Sequence, residues 1–237
     1  MCVLGLADDD RSLTTNDLTI YSGCMVNSFP KVYPILDASM IPATGRAAFL
    51  DRLGRSLAEC GATLLEYRNK AGADAELLAD AAVLRTAMPF GQVKLILDDR
   101  ADLVEQSGFD GVHVDAGDVS PAEARSLLGP ERIVGTFGGS GALVAGILDE
   151  PVDYLAVGPV NPTTTKRTST PPIGVEGVRR LREEAGGEAV LVAVGGVTLE
   201  TALLVLAAGA DSVGVSAALF NQVDPAAEYR RWVAALG

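Results

Sequence analysis

Eight short runs rich in aliphatic and β-branched residues recur between positions 32 and 215, and their repetition restricts the fold more than any single motif does. They are Val32–Leu36 (VYPIL), Thr63–Tyr67 (TLLEY), Val93–Leu97 (VKLIL), Gly111–Val114 (GVHV), Ile133–Thr136 (IVGT), Tyr154–Val157 (YLAV), Leu191–Val194 (LVAV) and Ser212–Val215 (SVGV). Most are separated by apolar residues at helical spacing, as in Phe49, Leu50, Leu53, Leu57 and in Leu77, Leu78, Ala81, Ala82, Leu84. Continuously apolar strands alternating with helices describe a parallel sheet covered on its outer face. Eight such units predict an α/β fold of the closed (β/α)8 TIM-barrel type. The competing architecture, a doubly wound open sheet, normally carries a glycine-rich fingerprint after its first strand, and none follows Val32–Asp37.

Punctuation between the runs agrees with this division. Ser120-Pro121-Ala122-Glu123 and Thr198-Leu199-Glu200-Thr201 read as helix starts. Gly61, Gly108 and Gly209 fall where helices should end before the second, fourth and eighth strands. Residues 1–30 are polar, with Asp8, Asp9 and Asp10 in a row and no period, and are expected to form an N-terminal extension ahead of a catalytic barrel spanning 31–237.

Charge narrows the partners. A formal net charge of −12 repels nucleic acid, and no cluster of Lys and Arg offsets it. The opening MCVLGLADDDRS lacks a basic, signal-like start, and no uncharged stretch reaches membrane-spanning length. Cys2, Cys24 and Cys60 are odd in number and lack metal-site spacing, which fits a reducing cytoplasm. The expectation is a cytoplasmic protein for small phosphorylated molecules, free of membrane and nucleic-acid partners and compatible with assembly into a homo-oligomer.

Barrel chemistry sits where strands end. After the second run, Glu66, Arg68 and Lys70 alternate toward one side, putting an acid and two cations at the mouth. The third run is followed by Asp98-Asp99-Arg100 and the fourth by Asp115 and Asp118. Carboxylates converging from neighbouring strands repel unless a hard cation joins them, which points to Mg²⁺. The sixth run stops at Gly158-Pro159 and opens into Asn161-Pro162-Thr163-Thr164-Thr165-Lys166, whose hydroxyls and ammonium suit a phosphate. Gly195-Gly196 and Ser216-Ala217 close the seventh and eighth runs with backbone amides at the usual phosphate position of a barrel. Taken singly, each has a plain structural explanation: a solvated rim, a helix cap, a tight turn, a Thr/Pro linker. Their recurrence at the same end of successive units is what those explanations cover poorly. His113, flanked by valines, reads as a packed core residue before a metal ligand.

The motifs Tyr-Arg-Asn-Lys at 67–70, Asp-Asp-Arg-Ala-Asp-Leu at 98–103, Asp-Gly-Val-His-Val at 110–114, Val-Gly-Pro-Val-Asn-Pro-Thr-Thr-Thr-Lys at 157–166 and Val-Gly-Gly-Val at 194–197 together resemble the thiamine phosphate synthase family, also called thiamine-phosphate pyrophosphorylase. The resemblance implies a Mg²⁺-assisted transferase of thiamine biosynthesis that joins hydroxymethylpyrimidine diphosphate to thiazole phosphate and releases pyrophosphate. It assigns Arg68, Lys70 and Lys166 to the diphosphate, Asp99 and Asp118 to the metal, and Thr163, Thr165, Gly196 and the amides at 216–217 to the thiazole phosphate. Glu66, Asp98 and Gly195 complete the substrate site. Glu66 and Asp98 stand where the family usually carries glutamine and asparagine, Asp115-Ala116 replaces its Gly-Gln, Phe137 lies near a usual serine, and Ser216 is offset from the family's serine, leaving Ala217 there. The two added acids place negative charge beside a diphosphate unless protons or a metal neutralise it. A thiazole tautomerase-like isomerase and a non-catalytic phosphate-ligand binder stay open as alternatives; the diphosphate cations speak against the first.

Overall fold

The computed structural model describes residues 29–163 and 170–237. Its strands are β1 (Val32–Asp37), β2 (Leu64–Arg68), β3 (Lys94–Asp98), β4 (Gly111–Val114), β5 (Ile133–Gly139), β6 (Tyr154–Val157), β7 (Leu191–Ala193) and β8 (Ser212–Val215). They pair in chain order, all parallel, and β8 returns to β1, closing the barrel. The open-sheet alternative is thereby excluded. Strands β1, β2, β3 and β5 run past the apolar pattern at their carboxyl ends, taking in Asp37, Arg68, Asp98 and Gly139. Main-chain pairing holds these ends in register, as in Asp37 opposite Arg68 and Asp98 opposite His113, so polar side chains are carried on strand rather than loop.

The helices are α1 (Arg46–Glu59), α2 (Asp74–Ala87), α3 (Val104–Ser107), α4 (Pro121–Leu128), α5 (Gly174–Ala185), α6 (Leu199–Ala207), α7 (Ala217–Phe220) and α8 (Pro225–Leu236). Between β5 and β6 a 3-10 turn at Ile147–Asp149 replaces the helix. Both helix starts read from the sequence are capping boxes, with Ser120 answering Glu123 and Thr198 answering Thr201. Gly61, Gly108 and Gly209 sit at φ of +85°, +70° and +107°, the left-handed conformation that stops a helix without a Cβ penalty.

A staple recurs under alternate strands. Arg85 of α2, Arg125 of α4 and Arg182 of α5 each bind nearby carbonyls and reach Asp110, Asp153 and Asp211, the residues just before β4, β6 and β8. Each aspartate also accepts a main-chain N–H from the preceding strand in the barrel, or from its first residues, at Leu95 (2.9 Å), Val134 (2.7 Å) and Leu191 (2.8 Å). One motif thus ties a helix end to two strands and fixes the amino-terminal rim.

Within the barrel, Leu64, Ile96, Ile133 and Val192 pack around Tyr33 and Tyr154. Gly135 makes room for the second ring, since a Cβ there would lie 2.0 Å from Tyr154 Cζ. Phe29 packs against both tyrosines, with ring centroids 5.8 and 5.2 Å away. The rest of the expected 1–30 extension, apart from Phe29 and Pro30, lies outside the described residues, as do Cys2 and Cys24; Cys60 is a free thiol.

Candidate active site

A cavity of ≈ 690 Å³ opens at the carboxyl ends of the strands. Its floor is a buried polar chain. Tyr33 donates to Glu66 Oε2 at 2.8 Å, its hydroxyl lies 3.0 Å from that of Tyr154, and the Tyr154 hydroxyl lies 3.1 Å from His113 Nδ1. Burial, followed by the charge of Asp98, pushes the Glu66 carboxyl up to about 8. The added acid at this position is therefore held in its neutral form near pH 7, close in hydrogen-bonding character to an amide.

On the β2–β4 side, cations and carboxylates interleave. Arg68 binds Asp37, and its Nε lies 3.4 Å from Asp98 Oδ2; Lys70 binds Asp99, and its Nζ lies 3.4 Å from the same Asp98 oxygen. Asp98 is 4% exposed, and Oδ2 has charge contacts but no aligned hydrogen bond among the described residues. Burial, then the charge of Asp99, raise its carboxyl to about 7 against the opposing pull of Lys70 and Arg68. Burial works against the Lys70 charge, yet Asp98 and then Asp99 keep its ammonium above the ordinary lysine range. Asp118 accepts the Asp115 N–H at 2.8 Å, and burial, then its contact with Asp99, raise its carboxyl. The negative charge expected from Glu66 and Asp98 is thus offset by protons and by two adjacent cations.

Three of the carboxylates are close enough together to share a hard cation. One ligand oxygen from each of Asp98, Asp99 and Asp115 lies within 4.8 Å of the others, and buried Asp99 Oδ1 has no hydrogen-bond partner among the described residues. Oxygen-only donors of this kind fit Mg²⁺. Asp99 has φ of +67°, the only left-handed non-glycine among the described residues, and its N–H binds the His113 carbonyl at 2.7 Å. That kink turns its carboxylate out of the strand line toward Lys70.

Across the barrel, the β6 and β7 loops are laced together. Val160 N–H binds Val194 O at 2.8 Å, Asn161 N–H binds Gly195 O at 2.9 Å, and Asn161 Nδ2 donates to Gly196 O at 3.0 Å. Gly195 and Gly196 hold φ of +87° and +64°, and a Cβ on Gly196 would come within 2.4 Å of Pro162 O. Only glycine allows this approach.

Of the residues read from the sequence, Glu66, Arg68, Lys70, Asp98, Asp118, Thr163, Gly195, Gly196, Ser216 and Ala217 all line this one cavity. Asp99 stands beside it, joined through Lys70. Thr165 and Lys166 lie outside the described residues. Asp115, read as one of the converging carboxylates, completes the acidic group, and three contributors were passed over: Asp37, which anchors Arg68, and Tyr33 and Tyr154, which carry the floor. The tyrosines had a signal, being polar-tipped rings in otherwise aliphatic strands, and Asp37 had one in directly following the first run.

Fold and site together are those of a (β/α)8-barrel enzyme with a charged mouth. The family model described as thiamine monophosphate synthase matches residues 32–219, and the chain belongs to that family. The thiamine-phosphate synthase of Koribacter versatilis is 41% identical over 196 residues, covering 83% of this chain and 90% of that protein. That of Agrobacterium fabrum is 35% identical over 190 residues, covering 79% and 84%. The solved thiamine phosphate pyrophosphorylase of Pyrococcus furiosus superposes with a TM-score of 0.69 at 27% identity, covering 87% of this chain and 97% of that one. No helix among the described residues is long and apolar enough to cross a membrane.

Proposed function

We propose that this chain is a Mg²⁺-dependent thiamine phosphate synthase: a transferase that joins hydroxymethylpyrimidine diphosphate to thiazole phosphate and releases pyrophosphate. The observation that carries the reading is the convergence of Arg68, Lys70, Asp98 and Asp118 on one cavity whose far wall is the Gly195-Gly196 turn.

In this reading the bond from the pyrimidine methylene to the diphosphate oxygen breaks, and its electron pair leaves with pyrophosphate. The thiazole nitrogen then supplies the pair for the new C–N bond. The cation left on the pyrimidine is resonance-stabilised, so the protein needs no nucleophile. Arg68 and Lys70, with Lys166 by family resemblance, stabilise charge on the leaving oxygens more than on the bound substrate. Asp99, grouped with Asp98 and Asp115, and Asp118 by family resemblance would hold Mg²⁺, which when bound would supply Lewis-acid stabilisation of those oxygens. The glycine turn, Thr163, Thr165 and the 216–217 backbone hold the thiazole phosphate, so the ring nitrogen is aligned before reaction. Neutral Glu66 presents a carboxylic acid to the pyrimidine without adding charge to the site. Work in a reducing cytoplasm belongs to the same reading, and the free Cys60 thiol is compatible with it.

The test is direct. Purified protein with both substrates and Mg²⁺ should produce thiamine phosphate and pyrophosphate in equal amounts. Binding of both substrates without product would leave a non-catalytic binder, and conversion of a thiazole phosphate without use of the diphosphate would indicate an isomerase.

A further inference from the structure

Lys70 occupies an unusual place for a group meant to meet a diphosphate. Its ammonium is bound to Asp99 and lies 3.4 Å from Asp98 Oδ2, so it contacts two of the three carboxylates that make the cation seat. Those carboxylates do not make a relaxed ion-pair network. Asp98 is 4% exposed, faces the cavity and leaves Oδ2 without a hydrogen bond among the described residues; Asp99 leaves Oδ1 in the same state. Buried carboxylate oxygens without donors are costly unless a ligand completes them. Oxygens on opposite sides of an octahedral Mg²⁺ are about 4.2 Å apart, twice the Mg–O distance. Adjacent ones are about 3.0 Å apart, and any three include at least two adjacent pairs, so the three oxygens here, all within 4.8 Å of one another, must draw together as the ion enters.

We infer that Lys70 is a built-in counter-ion which a divalent cation displaces, so that the free protein binds its metal on Asp98, Asp99 and Asp115 before any diphosphate arrives, and metal entry releases Lys70 toward the substrate. The inference deepens the proposed function, from which it takes the diphosphate. Asp98 and Asp115 are the residues at which this chain departs from the family's usual asparagine and glycine, and both lie in the seat. The added carboxylates supply ligands that a two-aspartate site would have to borrow from substrate oxygens. The ammonium supplies the opposing charge that keeps the seat from repelling itself when empty. Exchange of one positive group for another keeps the local charge near balance at every stage, which four acids around one mouth require.

The experiment is titration of the substrate-free protein with Mn²⁺, followed by calorimetry and by loss of the free-ion paramagnetic resonance signal. Wild-type protein should bind one ion per chain with neither substrate present. Lys70→Met should bind that ion about tenfold more tightly, because its competitor is gone, and Asp98→Asn and Asp115→Asn should each weaken binding by about tenfold or more. Both aspartate changes keep side-chain size, and an unchanged melting temperature without metal checks that the variants are folded. Failure of the wild type to bind without diphosphate, or Lys70→Met binding no more tightly, would overturn the inference. The enzymatic reading stands or falls separately: Mg²⁺-dependent product formation without metal binding by the free protein sinks only the displacement, whereas metal binding without product sinks only the assigned reaction.

Discussion

Tyr33 donates its phenolic proton to Glu66 at 2.8 Å in the floor of the cavity, and both side chains are almost wholly buried. An acid so placed is neutral because ionising it would put a charge where water cannot follow.

Stability should therefore depend on pH through Glu66. Its carboxyl titrates near 8 in the folded chain against an ordinary value of 4.5, so the folded state holds a proton that the unfolded state releases. The sign follows: between about 4.5 and 8 stability falls with rising pH, by at most about 1.4 kcal/mol per pH unit for this group. Glu66→Gln removes that slope. Its melting temperature relative to wild type should climb across this window and level off above it. A constant difference from pH 5 to pH 9 would show that Glu66 is ionised throughout.

The staples under alternate strands should differ in worth. Asp110 is 4% exposed, binds Arg85 and accepts the Leu95 N–H, whereas the Asp211 side chain is 45% exposed in its matching role with Arg182. Breaking a buried pair strands the surviving charge. Asp110→Ala should destabilise the barrel by about 3 kcal/mol, and Asp211→Ala by clearly less, on the order of 1 kcal/mol. Thermal or urea unfolding of the two variants reads the order, and equal losses would contradict it.

Sequence alone carried the barrel because its signals are local and repeated. An apolar strand, a helix stop such as Gly108 and a cap such as Ser120 each act within a few residues. Strand parity likewise put Glu66, Arg68 and Lys70 on one side, where the cavity has them. What was illegible depends on contacts across the barrel. That Tyr33 meets Tyr154, or that Asp37 holds Arg68, follows from closure of the sheet, which brings together residues 121 and 31 positions apart. The charge state of Glu66 was illegible for the same reason, since its neutrality comes from burial between strands rather than from its neighbours in the chain.

The glycine turn should be separable from folding. Gly196 lies between Asn161, which binds its carbonyl, and Pro162, whose oxygen blocks any Cβ. Gly196→Ala must move the β6 loop, and displacement of bound substrate by about 1 Å lowers turnover roughly a hundredfold. The change lies at a loop apex, so the melting temperature should fall by only a few degrees. Steady-state kinetics should place the loss in both kcat and the KM for thiazole phosphate. Wild-type kinetics would remove this turn from the site.

Arg68 is useful to a leaving diphosphate only if its guanidinium is aimed, and Asp37 supplies the aim. The two are register partners at the ends of β1 and β2, and the carboxylate of Asp37 is itself fixed by the Ser39 N–H at 2.9 Å. Arg68→Ala removes both the charge and its forked donors and should lower kcat by about a hundredfold to a thousandfold. Asp37→Asn keeps the arginine but loosens it, and should cost about tenfold, mostly in kcat, because a wandering cation still attracts substrate yet meets the developing charge less well. The double variant Asp37→Asn/Arg68→Ala should be no slower than Arg68→Ala alone, since an anchor without its guanidinium has nothing left to position. Additive losses in that cycle would mean that Asp37 acts on the reaction by a route independent of Arg68.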